Sequence, residues 1–186
     1  MKKVLLLFLS IPALCFSQSF VATVTGLKDS EKIENGYVVL SFTGKSAEQL
    51  YDLTNKFCQK YYVGPKTALK SDIKNEYLKI ATYEKQFLVL QTGMFGESYY
   101  SDLNFAANFS FKDSKVKFEV SELKMYDSFG EHEVFYTSPG GLTWCIFKSN
   151  GKTNKNLPIV FQKYFNKYIA DYVLFVNEYK KTNDNW

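Results

Sequence analysis

Residues 103–126 carry the clearest alternation of apolar and polar positions in the chain. In the first half, the apolar side chains recur at every second position, at Phe105, Ala107, Phe109 and Phe111. In the second half they recur at Val116, Phe118 and Val120. A period of two places each set on one face of a sheet, and the polar pair Asp113-Ser114 between them is typical of a tight turn. The pattern predicts a β-hairpin whose aromatic face needs a cover, because an isolated hairpin is unstable in water.

The apolar parity changes once within the second predicted strand. Beyond Val120 the apolar positions are Leu123 and Met125, which lie out of step with the residues before them. One extra residue reverses the faces of a strand. The change therefore predicts a β-bulge near Ser121-Glu122.

Two other segments follow the helical period. Ser46 and Gln49 have the spacing of a capping box, and apolar residues recur at helical spacing from Leu50 until Gly64-Pro65 ends the segment. A second helix is predicted from Leu157 to Lys181, capped by Asn156, with residues 182–186 as a flexible tail. Polar positions interrupt its apolar rows, so we do not expect a membrane span. At ~1.5 Å per residue it is about 37 Å long, so we expect it to cover the hairpin's aromatic face.

The remaining chain is predicted to be strands and connections. Strands are predicted at Phe20–Thr25, Tyr37–Phe42, Tyr77–Tyr83, Phe87–Thr92, Val134–Tyr136 and Leu142–Phe147. Loops are predicted at Gly26–Glu34, Lys66–Asn75 and Gly93–Asp102, with a turn at Glu84-Lys85. This order predicts one α+β domain over residues 18–181, in which two helices lie on one face of a curved antiparallel sheet of about five strands. A cystatin-like arrangement is the alternative.

Two short motifs resemble a bacterial family of exported domains of unknown function. Tyr37–Phe42 with the following Gly44-Lys45-Ser46 and Leu50-Tyr51 is similar to the start of that family. Lys112-Asp113-Ser114-Lys115 is similar to its hairpin turn. The resemblance spans roughly residues 37–126 and implies a TATA-binding-protein-like fold with no established activity. It does not imply DNA binding, because function depends on sites and not on folds.

The start of the chain has the pattern of an export signal. Two lysines precede a short apolar run, Val4–Phe16, and the small residues Cys15 and Ser17 stand three and one positions before a cut at Ser17/Gln18. The run is shorter than the roughly 20 residues of a membrane span. We therefore expect residues 1–17 to be a signal peptide and the mature chain to be periplasmic or extracellular. The alternative is a lipoprotein lipidated at Cys15, which is disfavoured because a bulky leucine precedes that cysteine.

Composition argues against nucleic-acid recognition. The chain of 186 residues has no arginine, and loss of Lys2 and Lys3 with the signal peptide lowers its net charge from +4 to +2. Guanidinium groups supply the bidentate contacts to phosphate and bases, and a near-neutral chain lacks a dominant basic patch. We expect no nucleic-acid partner.

Residues that could carry chemistry are few. His132 lies between two glutamates, but neighbours in sequence do not converge on one metal ion and there is no second histidine, so a solvated loop histidine is favoured. Cys58 lies on the apolar side of its helix, where a thiol is inert rather than nucleophilic. Cys58 and Cys145 form a disulfide or remain separate buried thiols. We expect no enzymatic activity, no catalytic or metal-binding residues and no cofactor.

The leading functional hypothesis is therefore a non-enzymatic exported domain that binds an envelope protein. Its candidate contact patch is formed by the apolar side chains in and beside the Gly93–Asp102 loop: Met94, Phe95, Tyr99 and Tyr100. The alternative is a carrier that holds a small hydrophobic ligand between the last helix and the sheet. Plain core packing also explains those aromatic rows, because protein interiors are usually filled.

Overall fold

A computed structural model describes residues 18–62, 64–92, 98–127, 130–134, 146–147 and 156–179. Within these ranges the chain forms eight strands and three helices. The strands are β1 (Phe20–Thr23), β2 (Gly26–Asp29), β3 (Tyr37–Ser41), β4 (Leu69–Ile73), β5 (Tyr77–Thr92), β6 (Ser98–Lys112), β7 (Lys115–Asp127) and β8 (Gly130–Glu133). The helices are α1 (Ala47–Tyr61), α2 (Pro65–Ala68) and α3 (Leu157–Glu178).

The main sheet has six antiparallel strands in the order β3-β7-β6-β5-β4, with β8 also paired to β7. β3 pairs with the first part of β7 and β8 with its last part, so both lie along the edge of β7 that faces away from β6. β1 and β2 form a separate two-stranded hairpin. The predicted α+β class is confirmed, and the sheet has more strands than the predicted five.

The central hairpin is β6–β7, as predicted. Lys112 pairs with Lys115 across the Asp113-Ser114 turn, and Ser114 adopts a left-handed φ of 61°. Its aromatic face is buried, with Phe105, Phe109 and Phe118 shielded from solvent. The hairpin therefore forms one side of the hydrophobic core.

The predicted bulge in β7 is confirmed. Ala106 pairs with Ser121, whereas Asn104 pairs with Lys124, so β7 contains one residue more than β6 over this stretch. Glu122 has a left-handed φ of 53°. The extra residue returns Met125 to the buried face, which explains the change in apolar parity.

Helix α1 begins with the predicted capping box. Ser46 Oγ accepts a hydrogen bond from Gln49 N at 3.2 Å, and Gln49 Oε1 accepts one from Ser46 N at 2.9 Å. Asp113 Oδ1 accepts another from Ala47 N at 2.9 Å. The hairpin turn thus satisfies an N–H of the first helical turn, which otherwise has no partner within the helix.

Helix α3 covers the aromatic face of the hairpin. Ring centroids lie 5.1 Å apart for Phe165 and Phe105, 5.2 Å for Tyr172 and Phe109, and 5.3 Å for Tyr168 and Phe118. Asn156 is its N-cap residue but its side chain makes no capping hydrogen bond. None of the helices in the described ranges is both long enough and apolar enough to cross a bilayer.

A buried hydrogen bond joins the two long helices. Thr54 Oγ1 donates to Leu50 O at 2.7 Å and lies 2.6 Å from Tyr172 Oη. Because the threonine proton is already directed at Leu50, the tyrosine hydroxyl is the donor between the helices. Both side chains are almost fully buried.

The N-terminal hairpin is attached to α3 and to β3 by side-chain amides. Asn166 Oδ1 accepts from Phe20 N at 2.7 Å, and Asn166 Nδ2 donates to Phe20 O at 3.1 Å. Gln18 Oε1 accepts from Val39 N at 2.6 Å. The strand β2 lies inside the segment Gly26–Glu34 that the sequence predicted to be a loop, so that prediction was wrong.

Three other predictions of irregular structure were wrong. The segment Lys66–Asn75 contains α2 and β4, and the segment Gly93–Asp102 contains the start of β6. β5 continues through Glu84-Lys85 without a turn, and its irregularity is a register shift beside Gln86, whose φ is 53°. Most of the predicted strands Val134–Tyr136 and Leu142–Phe147 lies outside the described residues, although Ile146 N donates to Val134 O at 2.8 Å.

Candidate binding surface

The two long helices pack on the same face of the main sheet, and we call the opposite face the open face. Strand alternation brings to it the residues between the buried ones. It carries Tyr37 and Val39 of β3; Tyr77, Lys79, Ala81 and Tyr83 of β5; Asn104, Asn108 and Ser110 of β6; and Lys117 and Glu119 of β7. No helix among the described residues covers this face. It is therefore a surface on which the sheet itself can meet a partner.

Hydrogen bonds hold the middle of the open face in place. Tyr77 Oη donates to Asn108 Oδ1 at 2.8 Å, and Asn108 Nδ2 donates to Ser121 Oγ at 2.8 Å. Lys79 forms an ion pair with Glu122. These groups satisfy one another, so the centre of the face offers few free donors or acceptors.

A second network fixes the tyrosine side chains toward the far end of the face. Tyr83 donates to Asp102, and Tyr126 Oη donates to Glu131 at 2.7 Å. The hydrogen bonds from the Tyr83 hydroxyl and from Gln86 N–H lower the pKa of Asp102. The Asp102 carboxylate therefore stays ionised and continues to hold the Tyr83 ring in position.

The outer part of the β5–β6 hairpin, which we call the arm, comprises residues 83–92 and 98–102. On its helix side, the ring of Phe87 lies 5.0 Å from Phe161 and 5.1 Å from Tyr164. On its open side, Val89 pairs in register with Tyr100, and both are exposed, at 59% and 42%. The start of α3 thus anchors the arm while its other side presents apolar surface.

We call the exposed side chains Tyr83, Val89 and Tyr100 the arm patch. Tyr83 is 54% exposed although its hydroxyl is bonded to Asp102. A ring that is already held in one orientation loses less conformational entropy on binding than a freely rotating one. The arm patch therefore combines exposed apolar area with pre-organisation.

The predicted contact patch overlaps the arm only in part. Tyr100 is exposed on the open side. Tyr99 pairs with Gln91 through the backbone, and its side chain lies outside the described residues. Met94 and Phe95 also lie outside them. Sequence reasoning missed Tyr83, although its alternation with Thr82 and Leu78 along β5 placed it on the face away from the core.

The residues considered for catalysis lie apart from the arm patch. His132 of β8 pairs through its backbone with Met125 of β7, and the side chain of His132 lies outside the described part of the chain. Cys58 is a free and buried thiol, and burial raises its pKa to about 12. A thiol with such a pKa is protonated at neutral pH and is a poor nucleophile. Cys145, which the sequence left as a possible disulfide partner or a separate thiol, lies outside the described residues, and Cys58 itself is free.

The interface between α3 and the sheet, where a carrier would hold its ligand, contains rings in direct contact. Besides the three pairs described above, Phe57 of α1 lies 5.2 Å from Tyr172, centroid to centroid. Tyr62 Oη and Tyr168 Oη are 2.5 Å apart at the end of α1. Contacts of this kind are those of a packed core.

Comparison with solved structures identifies the fold. The chain is similar to a DUF4468 family protein from Bacteroides ovatus, with a TM-score of 0.53 and 11% identity over 78% of this chain and 86% of the other. It is also similar to a TBP-like protein from Parabacteroides distasonis, with a TM-score of 0.50 and 14% identity over 78% of this chain and 96% of the other. The predicted TBP-like fold is thereby confirmed. No protein-family model and no curated protein matches the sequence.

Proposed function

We propose that this chain is an exported, non-enzymatic domain that binds a protein of the bacterial envelope through the arm patch. The observation that carries the proposal is the exposure of Tyr83, Val89 and Tyr100 on one side of an arm whose other side is anchored by α3. Tyrosine is enriched in protein interfaces because it offers a large rigid surface with a polar end. The partner is therefore expected to present an apolar surface rather than a charged one.

The burial of Cys58 supports the non-enzymatic part of this proposal. It is the one cysteine of the described residues, and its thiol faces the core. The export part rests on the N-terminal signal pattern. Mass spectrometry of the protein recovered from a periplasmic fraction should show a chain that begins at Gln18, and recovery of the uncut chain from the cytoplasm alone would contradict export.

A binding experiment with two matched double variants tests the arm patch. Residues 18–186 are immobilised and exposed to envelope extract, as the wild type, as Tyr83→Ala/Tyr100→Ala and as the control Tyr61→Ala/Leu174→Ala. The control side chains lie on the helix side and are exposed to similar extents, at 48% and 54%. The arm variant thus removes two exposed tyrosines, and the control removes one exposed tyrosine and one exposed leucine.

We expect one protein to be retained by the wild type and by the control and to be lost from the arm variant. Loss of a central tyrosine from an interface costs about 2 kcal/mol, which is roughly a 30-fold change in affinity. Purified partner should then show this change in a titration. If the three columns retain the same proteins in the same amounts, the arm patch is not the binding surface.

A further inference from the structure

The end of the open face near the hairpin turn contains a shallow pocket with three lysines. Lys112, Lys115 and Lys117 line a pocket of about 460 Å³, together with Tyr37 and Val39 of β3. We call it the lysine pocket. Its volume lies in the range of small-molecule sites. It is distinct from the arm patch, because six residue steps along β6, from Asn104 beside Tyr83 to Ser110 in the pocket, separate them by about 20 Å at ~3.4 Å per residue.

The charges in the lysine pocket are not balanced. Lys112 and Lys115 lie directly opposite each other across the hairpin, an arrangement in which like charges repel. In the part of the chain that the structure describes, neither of them forms an ion pair. The acid between them, Asp113, accepts a hydrogen bond from α1 instead. Lys117 is 3.7 Å from Glu119, and its Nζ lies 5.0 Å from the centre of the Tyr37 ring.

Two further lysines of the open face are paired with carboxylates. Lys79 lies beside Glu122, and Lys124 beside Glu131. The described residues of the face therefore place carboxylates next to these lysines at its centre and far end, but next to neither Lys112 nor Lys115. This difference distinguishes the lysine pocket from a generally solubilising lysine surface.

We propose that the lysine pocket binds a small multivalent anion, in which two or more carboxylate or phosphate groups are carried on a short frame that contacts Tyr37 and Val39. An ammonium group is a compact charge that accepts oxyanions of either kind, whereas planar bidentate recognition requires arginine. The number of charges and the fit of the frame thus decide which anion binds. Binding also relieves the repulsion between Lys112 and Lys115.

Calorimetric titration with citrate and with pyrophosphate at low ionic strength tests this proposal on residues 18–186. The test variant is Lys112→Gln/Lys115→Gln, and the control is Lys74→Gln/Lys163→Gln, which removes the same charge from exposed positions elsewhere. We expect the test variant to bind the anion at least about tenfold more weakly, because it loses the hydrogen bonds that the two ammonium groups donate to the anion. The control should bind within about twofold of the wild type.

Backbone amide chemical shifts provide the second measurement. In the wild type, the shifts caused by the anion should be confined to β3 and to the turn end of β6 and β7. Thermal unfolding shows that the test variant folds, since removing a repulsive pair does not destabilise the hairpin. Preference for citrate or for pyrophosphate identifies the natural group as carboxylate or phosphate.

Three results would overturn the proposal. They are undiminished binding by the test variant, an equal loss in the control, and the absence of binding by the wild type at millimolar anion. The Tyr83→Ala/Tyr100→Ala variant separates this site from the proposed function, because it should bind the anions normally while losing the partner protein. If it also loses the anions, the two sites are not independent and a separate lysine pocket is refuted.

Discussion

The buried hydrogen bond between α1 and α3 gives a quantitative test of how the helices are joined. Thr54→Val leaves the hydroxyl of Tyr172 without an acceptor, and Tyr172 is only 1% exposed. A buried donor left unsatisfied costs about 1–3 kcal/mol. Tyr172→Phe leaves Thr54 still donating to Leu50 O, so only the net value of one hydrogen bond is lost, about 0.5–1.5 kcal/mol.

The double variant Thr54→Val/Tyr172→Phe decides between this account and simple additivity. It removes both partners and leaves an apolar contact of nearly the same shape, so it should be less destabilised than Thr54→Val alone. With about 2 and 1 kcal/mol for the single variants, we expect about 1 kcal/mol for the double variant instead of about 3. At ~2–4 °C per kcal/mol, the threonine variant should melt about 4–8 °C below the wild type.

Urea unfolding of the wild type, the two single variants and the double variant provides the free energies of unfolding. The exposed Tyr61→Phe serves as a control for removal of a tyrosine hydroxyl and should lie within about 0.5 kcal/mol of the wild type. If the double variant shows the sum of the two single effects, the hydroxyl groups do not act on each other and the assignment of Tyr172 as the donor is refuted.

Three further predictions concern other parts of the fold. Asn166→Asp removes the donor to Phe20 O, so amide exchange in β1 should accelerate and the free energy of unfolding should fall by about 1–2 kcal/mol. Ser114→Gly relieves a left-handed φ of 61° that costs about 1–2 kcal/mol, offset in part by unfolded-chain entropy, so urea unfolding should show a gain of about 0.5 kcal/mol. Burial raises the pKa of Cys58 from 9.0 to about 12, so as the pH rises the thiol ionises in the unfolded chain before it does in the folded one. Above pH ~9 the free energy of unfolding of the wild type should therefore fall with pH more steeply than that of Cys58→Ala, by about 1.4 kcal/mol for each pH unit.

Each of these has a matched control. Asn55→Asp changes an amide of α1 that does not contact β1, and it should leave exchange in β1 unchanged. Ser71→Gly in β4 has no left-handed φ to relieve and should be destabilising; a loss at Ser114→Gly as well would contradict the turn geometry. Parallel stability profiles for the wild type and Cys58→Ala between pH 8 and 11 would contradict the burial of the thiol.

The elements that could be predicted from the sequence are those with a strong local signal. The capping box of Ser46 and Gln49 fixes the start of α1 within the chain itself, and the parity change after Val120 locates the bulge. By contrast, β2 and β4 carry polar residues because both lie at edges with one side in water. Their strand structure depends on the partner strands: β4 pairs with β5, and β2 pairs with β1, which Asn166 of the distant helix α3 holds through Phe20.

The candidate site was harder to predict for a related reason. Alternation along β5 separates Tyr83 from the core side chains, but it does not show that helices cover only one face of the sheet. It also does not show that the arm continues past Glu84-Lys85, where a charged pair reads as a turn although the strand continues through an irregularity. Tyr100 could be recognised as a surface aromatic, whereas its pairing with Val89 required the register.

The extra residue in β7 gives this strand a position at which it can lose a residue without a change of faces. Two residues, Glu122 and Leu123, stand there opposite the single Phe105 of β6, so deleting Glu122 would leave a regular strand in which Lys124 stays opposite Asn104 and Met125 stays buried. Both β3 and β8 would then keep their partners in β7. Deleting a residue of β7 where it pairs one-to-one with β6 would instead reverse the faces of the residues beyond it, unless the bulge were lost in compensation.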